Sequence, residues 1–282
     1  MFPSHDRNGG ADVAIGKDAL ANGVNITPNA ATDEATERVA IGINAMSGAS
    51  QTGLGNIAIG SSAGKTVSTT AAGGAVYIGY FAGQNNNGSY TGINQIAIGK
   101  NAMKNKAVDE SIAIGVNALQ DVGAGNIGGT GQIAIGKNAM SAATVTGNTN
   151  IAIGEAANNT TAVVADNIAI GRNTTAKGTG SISIGEGADS GGAASADYSI
   201  AIGQGTTSTG NYSIALGQGT SVTDNYSVAI GFGAATNANN QLSFGTVSQN
   251  LGAVVNQSTT QTHTWTVKIN GTDYYVLLAT PD

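Results

Sequence analysis

The chain has 282 residues, of which 5% are aromatic, 10% are charged and 43 are glycine, a mixture too poor in bulky side chains to fill a thick globular interior. With 40% apolar residues and only 3 prolines it is equally unlike a disordered chain, so an ordered but thin fold is expected. A net charge of −6 with no run of Lys or Arg argues against nucleic acid as a partner, and the lack of Cys excludes a disulfide framework or a thiolate metal site.

Residues 1–12 read as an N-terminal tail, without the charged segment and apolar stretch of a secretory leader. His5 beside Asp6 is read there as solvated tail rather than a ligand pair. No 18 consecutive apolar residues occur in the sequence, so no membrane insertion is expected.

From residue 13 to 248 one phrase recurs: apolar, small, apolar, Gly, two variable residues, then usually Ala or Thr. Its Gly falls at fourteen positions, from Gly16 to Gly245, and the last four, Gly203, Gly217, Gly231 and Gly245, are fourteen residues apart. Longer spacings are insertions into that minimum. A period near 20 residues is the mark of a solenoid, in which each unit buries its face only against its neighbours. Runs such as Ile151-Ala152-Ile153 read as short buried strands, each stopped by a Gly that accepts positive φ at a sharp bend. Fourteen residues allow two strands of about five residues and two tight turns, a flattened coil with one thin layer of small side chains inside.

Alternation along the strand sends both Ile residues to one face and the Ala to the other. Either Ile fills the coil and Ala meets water, or both faces are buried, one inside the coil and one against partner chains. The second reading makes the rod an obligate oligomer, because stacked units otherwise display a continuous apolar stripe.

Insertions crowd the first two thirds of the chain, at 21–38, 83–94 and 120–131; polar and Gly-rich, they are expected to loop out from coil corners, where recognition is plausible but unassigned. "GSSAG" at 60–64 has the Gly-x-Ser-x-Gly form with Ser62 in the nucleophile's place, yet no helix pattern follows, and His5 and His263 are the only histidines, both outside the repeats. It is read as the repeat's own Gly60-x-x-Ala turn. No acid pair, phosphate-loop lysine or calcium-binding nonapeptide repeat is found, so no catalytic residue, metal or cofactor is expected. An irregular set, Thr206, Thr209, Thr220 and Thr223, argues against an ice-binding ladder.

Stacked in register, successive units make two vertical ladders. Lys137, Glu155, Arg172 and Glu186 alternate in charge after the motif Gly, and are expected to support register through weak pairs. Tyr198, Tyr212 and Tyr226 are fourteen apart, and are read as a structural stack or as a sugar platform. Beyond residue 248 the pattern changes. Residues 249–282 hold two alternating apolar runs around Asn270-Gly271, a two-residue hairpin that pairs Ile269 with Thr272, Lys268 with Asp273, Val267 with Tyr274 and Trp265 with Val276.

The unit Ser/Asn-Ile/Val-Ala-Ile-Gly-x-x-Ala/Thr, over about residues 13–245, resembles the head repeat of YadA-like trimeric adhesins, with departures at Tyr77, Ser183, Leu216 and "LSFG" at 242–245. The all-β parallel roll of about fourteen coils and the C-terminal antiparallel hairpin are read from the residues; the resemblance implies that the β-roll is left-handed and assembled as a trimer. With insertions such as "YIGYFAGQNNNGSYTGINQIAIG" it also looks like bacteriophage tail fibres and other virion fibres. The function expected is that of a non-enzymatic virion fibre, on tail or capsid, spacing a binding end from the particle. Its expected partners are two further copies of the chain, other virion proteins at one end, and a glycan or protein receptor on the host surface. The alternative is the head of a bacterial trimeric autotransporter adhesin on a cell surface.

Overall fold

The computed structural model describes residues 12–21, 38–48, 55–65, 74–84, 94–105, 109–120, 129–141, 147–160, 165–191, 197–246, 261–269 and 272–279. The first unit runs to Gln249 and the second from Asn250. No described residue is helical.

In the first unit fourteen strands of three residues each, from Val13–Ile15 to Leu242–Phe244, hydrogen-bond in chain order as one parallel sheet. Register is the same at every step: Ile151 lies over Ile168, Ala152 over Ala169 and Ile153 over Ile170, as in the pairs before and after. Every coil therefore presents each motif position directly above its equivalent in the coil below. The insertions change the length of a coil without shifting the strand that follows.

The strands are shorter than the five residues expected, because the turn after the motif Gly takes over part of the ladder. Two residues past that Gly, φ is positive in thirteen coils: Asp18, Asn44, Ser62, Phe81, Asn101, Asn117, Asn138, Ala156, Asn173, Gly187, Gly205, Gly219 and Gly233 all lie between 53° and 65°. Asn and Gly recur there because they are the residues that enter the left-handed region most readily. The backbone at this position also pairs vertically, as in Asn101 N–H to Tyr80 O at 2.9 Å and Gly205 N–H to Glu186 O at 2.9 Å. A second parallel sheet forms only where the repeat is most regular, from Thr175–Ala176, Asp189–Ser190, Thr207–Ser208 and Ser221–Val222.

The interior is lined by the small residue of each strand and by the Ala or Thr three places after Gly. Twelve of the fourteen central strand residues are buried, ten of them Ala at 0% exposure. The first of the two readings of the strand is thus reversed: Ala fills the coil, and both Ile positions face outward. Ala wins the inside because the two walls of so flat a coil leave space for little more than a methyl group.

Where the walls part, larger residues enter. Met46, Met103, Leu119 and Met140, each four places after a motif Gly, are fully buried. At Tyr77 the arrangement inverts: the ring replaces the strand Ala, and the fourth positions of its own coil and the one below are Gly83 and Gly64. A Cβ on Gly83 would lie 2.1 Å from the Tyr77 ring, and one on Gly64 2.9 Å from it. The Tyr77 hydroxyl donates to Gln95 Oε1 at 2.7 Å, and burial, with Asp109 adding to it, pushes its pKa well above the usual phenol range. Ser183, the other buried departure, donates to Thr175 O and Ser190 Oγ at 2.6 and 2.7 Å.

The residue before each strand is polar and buried in most coils, and its side chain holds the neighbouring coil's backbone. Asn56 Oδ1 accepts from Ala75 N–H, Asn150 Oδ1 from Asn167 N–H and Asn167 Oδ1 from Ser181 N–H, each at 3.0 Å. In the first coil the equivalent residue is Asp12, whose carboxylate takes the Arg38 guanidinium at 2.6 Å with both side chains almost wholly buried. That pair buries two charges at the first described coil with each satisfied by the other.

The second unit is an antiparallel hairpin of Gln261–Ile269 and Thr272–Ala279. Its register is the one read from the sequence, with Ile269 opposite Thr272, Lys268 opposite Asp273, Val267 opposite Tyr274 and Trp265 opposite Val276. The turn Asn270-Gly271 lies outside the described residues, as do His5 and Asp6 and the greater part of all three long insertions.

Candidate interaction surface

The largest chemical feature of the first unit is the outer face of the fourteen-stranded sheet. Two residues of every strand point to it, twenty-eight in all, and each is Val, Ile, Leu or Phe. None is buried; Ile202 is 37% exposed, Ile15 47% and Leu242 56%. At about 4.8 Å per strand and about 3.3 Å per residue the face is roughly 60 Å by 10 Å, on the order of 600 Å² in projection. That equals or exceeds the largest apolar patch of a typical monomeric protein, and its side chains add relief to the projected area.

The close stacking of the coils along this face depends on its glycines. Each motif Gly from Gly16 to Gly217 has φ between 129° and 137°, and a Cβ on any of them would fall 2.3–2.6 Å from the carbonyl oxygen of the next motif Gly. The bend expected at this residue is present, but the close approach of the coil above is an equally strong demand for Gly. In the regular coils a threonine hydroxyl completes this vertical contact: Thr174, Thr206 and Thr220 donate to the carbonyls of Gly185, Gly217 and Gly231 at 2.8, 2.5 and 2.7 Å.

Two columns border the apolar stripe. Two residues before the first Ile, on the entry edge, stand Tyr198, Tyr212 and Tyr226, with ring centroids 5.2 and 5.4 Å apart and planes within 18° and 4°. Below them is Gly180, where a Cβ would come within 2.9 Å of the Tyr198 ring. The rings use their faces on one another and on the Gly180 backbone, and they turn their edges outward. The facing surfaces within the stack are closed to a sugar, which needs a free ring face, while Tyr226 at the top is 60% exposed. Beneath the ladder, Asn211 N–H donates to Asn225 Oδ1 at 2.8 Å and Asn225 N–H to Asn239 Oδ1 at 2.9 Å, so the turn that carries the tyrosines is itself laddered.

On the exit edge, directly after the motif Gly, Lys137 Nζ meets Glu155 Oε1 at 3.1 Å and Arg172 pairs with Glu186. These are the alternating charges expected from the sequence, and with their side chains about half exposed they contribute little beyond register. Gln218 donates to Gln204 Oε1 at 2.9 Å in the same column. Further round the turn, Asn101 Nδ2 donates to Asn117 Oδ1 and Asn117 Nδ2 to Asn138 Oδ1 at 3.1 and 3.0 Å.

Ser62 occupies the left-handed position of that asparagine ladder, 5% exposed, with its N–H on Ile43 O. Sequence reasoning missed Phe81, which sits at the same position with φ 59°, packs on Tyr80 at 3.9 Å between centroids and lies under Lys104 Nζ at 4.6 Å. Its signal was a bulky residue where the twelve other described coils have Asn, Asp, Ser, Ala or Gly.

No curated protein sequence matches the chain. The YadA head domain repeat matches residues 168–188, 194–220 and 208–234, the stretch where two sheets, the tyrosine ladder and the threonine contacts coincide. The coils at residues 168–188 and 194–234 are similar to the YadA head domain repeat, and the strands before and after them pair in the same register within the fourteen-stranded sheet.

Proposed function

We propose that the chain is a non-enzymatic fibre protein that assembles as a homotrimer on the outside of a particle or cell and takes part in attachment to a host surface. The observation that carries this reading is the outer face of twenty-eight apolar residues, bordered by two side columns and similar to the YadA head repeat over residues 168–188 and 194–234. Three such faces turned toward a common axis bury the stripe along its whole length. A rigid parallel stack of this kind holds its two ends a fixed distance apart, which is the work of a spacer.

We assign the fibre to a bacteriophage virion, on the tail or capsid. Supporting this are coils interrupted by long insertions and the separate hairpin at 261–279, a combination that resembles virion fibres. Other virion proteins at one end, and a host glycan or protein receptor, are the partners that follow. The match to the YadA head repeat favours a second reading, the head of a bacterial trimeric autotransporter adhesin.

Immunogold electron microscopy with antibody raised against residues 197–246 tests the assignment. Gold on purified particles, with the recombinant protein competing for adsorption to host cells, is the expected result. Gold on the bacterial surface and none on particles favours the adhesin head, and signal confined to the cell interior contradicts both.

A further inference from the structure

We infer that the two edges of the apolar stripe are complementary halves of one contact, so that the entry-edge column of each subunit, the tyrosine ladder included, packs against the exit-edge column of the next copy around the trimer. The inference rests on the trimeric reading and adds the pairing within it.

In any ring of identical subunits the contact is heterologous: the surface one copy offers on one side differs from the surface its neighbour receives. With the stripes turned inward and the stacks parallel, the entry edge of one copy comes to the exit edge of the next at the same coil height. The two columns suit each other in chemistry. Among the described residues the entry edge carries no basic side chain, and its charges are Glu110 and Asp166, both exposed. The exit edge carries Lys17, Lys100, Lys137 and Arg172, the last two already paired with Glu155 and Glu186 of the same column; Lys100 and Lys137 stand in the coils on either side of Glu110, and Arg172 in the coil of Asp166. Higher up, Tyr198 and Tyr212 share coils with Gln204 and Gln218, and Tyr226 with Phe232.

Exposure points the same way. Tyr198, Tyr212 and Tyr226 are 52%, 52% and 60% exposed, and Phe232 is 54% exposed, although all four continue the apolar face. Stacked rings that turn only their edges outward present phenol hydroxyls and ring C–H groups, which suit glutamine amides and another ring edge-on. Within one chain Tyr212 and Gln218 flank the stripe six residues apart, about 20 Å along an extended strand, so they meet only between copies.

The chain has no Cys, which makes cross-linking decisive. The full chain carrying both Tyr212→Cys and Gln218→Cys is oxidised under native conditions, and its mass is read by light scattering before a non-reducing denaturing gel. Covalent trimers from the double variant, and none from either single variant, are expected. Pairs of Tyr212→Cys with Gln204→Cys or with Phe232→Cys allow for an offset of one coil. A native trimer in which none of the three pairs cross-links overturns the inference and leaves the trimeric reading standing. Covalent dimers from Tyr212→Cys alone show like edges meeting and overturn it too. A native monomer overturns both.

Discussion

Replacing the glycine at one motif position separates the two demands made on it. In Gly203→Ala the new Cβ would sit 2.5 Å from Gly217 O, 2.6 Å from Gly217 C and 2.7 Å from Thr206 Oγ1, at φ 136°. An L-residue at that φ costs about 1–3 kcal/mol, and forcing the coils apart by most of an ångström costs about 1–3 kcal/mol more, so a loss of roughly 2–6 kcal/mol follows. Two residues on, Gly205→Ala has φ 61° and no atom within 4 Å of the new Cβ, so only the left-handed cost of about 1–2 kcal/mol applies. Urea unfolding followed by far-ultraviolet circular dichroism, at one fixed protein concentration because assembly shifts apparent stability, measures both. If the two variants fall within about 0.5 kcal/mol of each other, the carbonyl of the next coil does not press on Gly203 and the vertical glycine contact is wrong.

Three further substitutions test other parts of the stack. Tyr77→Ala empties a fully buried site and should cost about 3–5 kcal/mol; adding Gly83→Met, the residue found at the equivalent Met103, should restore part of it, whereas Gly83→Met alone destabilises by collision with the ring. Thermal melts of the three variants check the order, and a double variant no better than Tyr77→Ala refutes it. Phe81→Asn gives a residue suited to φ 59° and offers a donor to Asn101 Oδ1, which is buried without a partner, so it should be at least as stable as the parent, while Phe81→Ala falls below it by melting temperature. At Asp189 burial raises the carboxyl pKa against the lowering pull of Lys177, and Oδ1 has no partner. A carboxyl raised on folding costs stability above its folded pKa and nothing below its unfolded value near 3.8. Asp189→Asn should therefore raise the melting temperature at pH 7, and the gain should vanish as pH falls toward 4.

Much of this was readable from spacing. The recurrence of Ile-Ala-Ile-Gly gave the coils, their register and the alternating charges from Lys137 to Glu186, because in a stacked parallel sheet each sequence position has one vertical neighbour. The hairpin register was legible for a similar reason, since the two-residue turn read at Asn270-Gly271 sets the pairs from Ile269 opposite Thr272 to His263 opposite Leu278, before the shift at Gln261. Which strand face turns inward was not. Ranking Ile151 and Ile153 above Ala152 by hydrophobicity points the wrong face inward, because interior width, not apolarity, decides. The apolar residues four places after the motif Gly, such as Met103, do recur in the sequence, but the left-handed backbone that carries them does not show in a pattern of apolar residues. The exchange of size between Tyr77 and the glycines 64 and 83 was likewise hidden, as it links positions that meet only after stacking.

Light scattering of the intact chain tests the central claim most directly. With 27.7 kDa per chain, three copies give about 83 kDa, and the account predicts that mass for the native protein. It also predicts its loss in Ile202→Asp, which places a charge in the middle of the outer face. A monodisperse species near 28 kDa, with the fold intact and the apolar stripe in water, would contradict it.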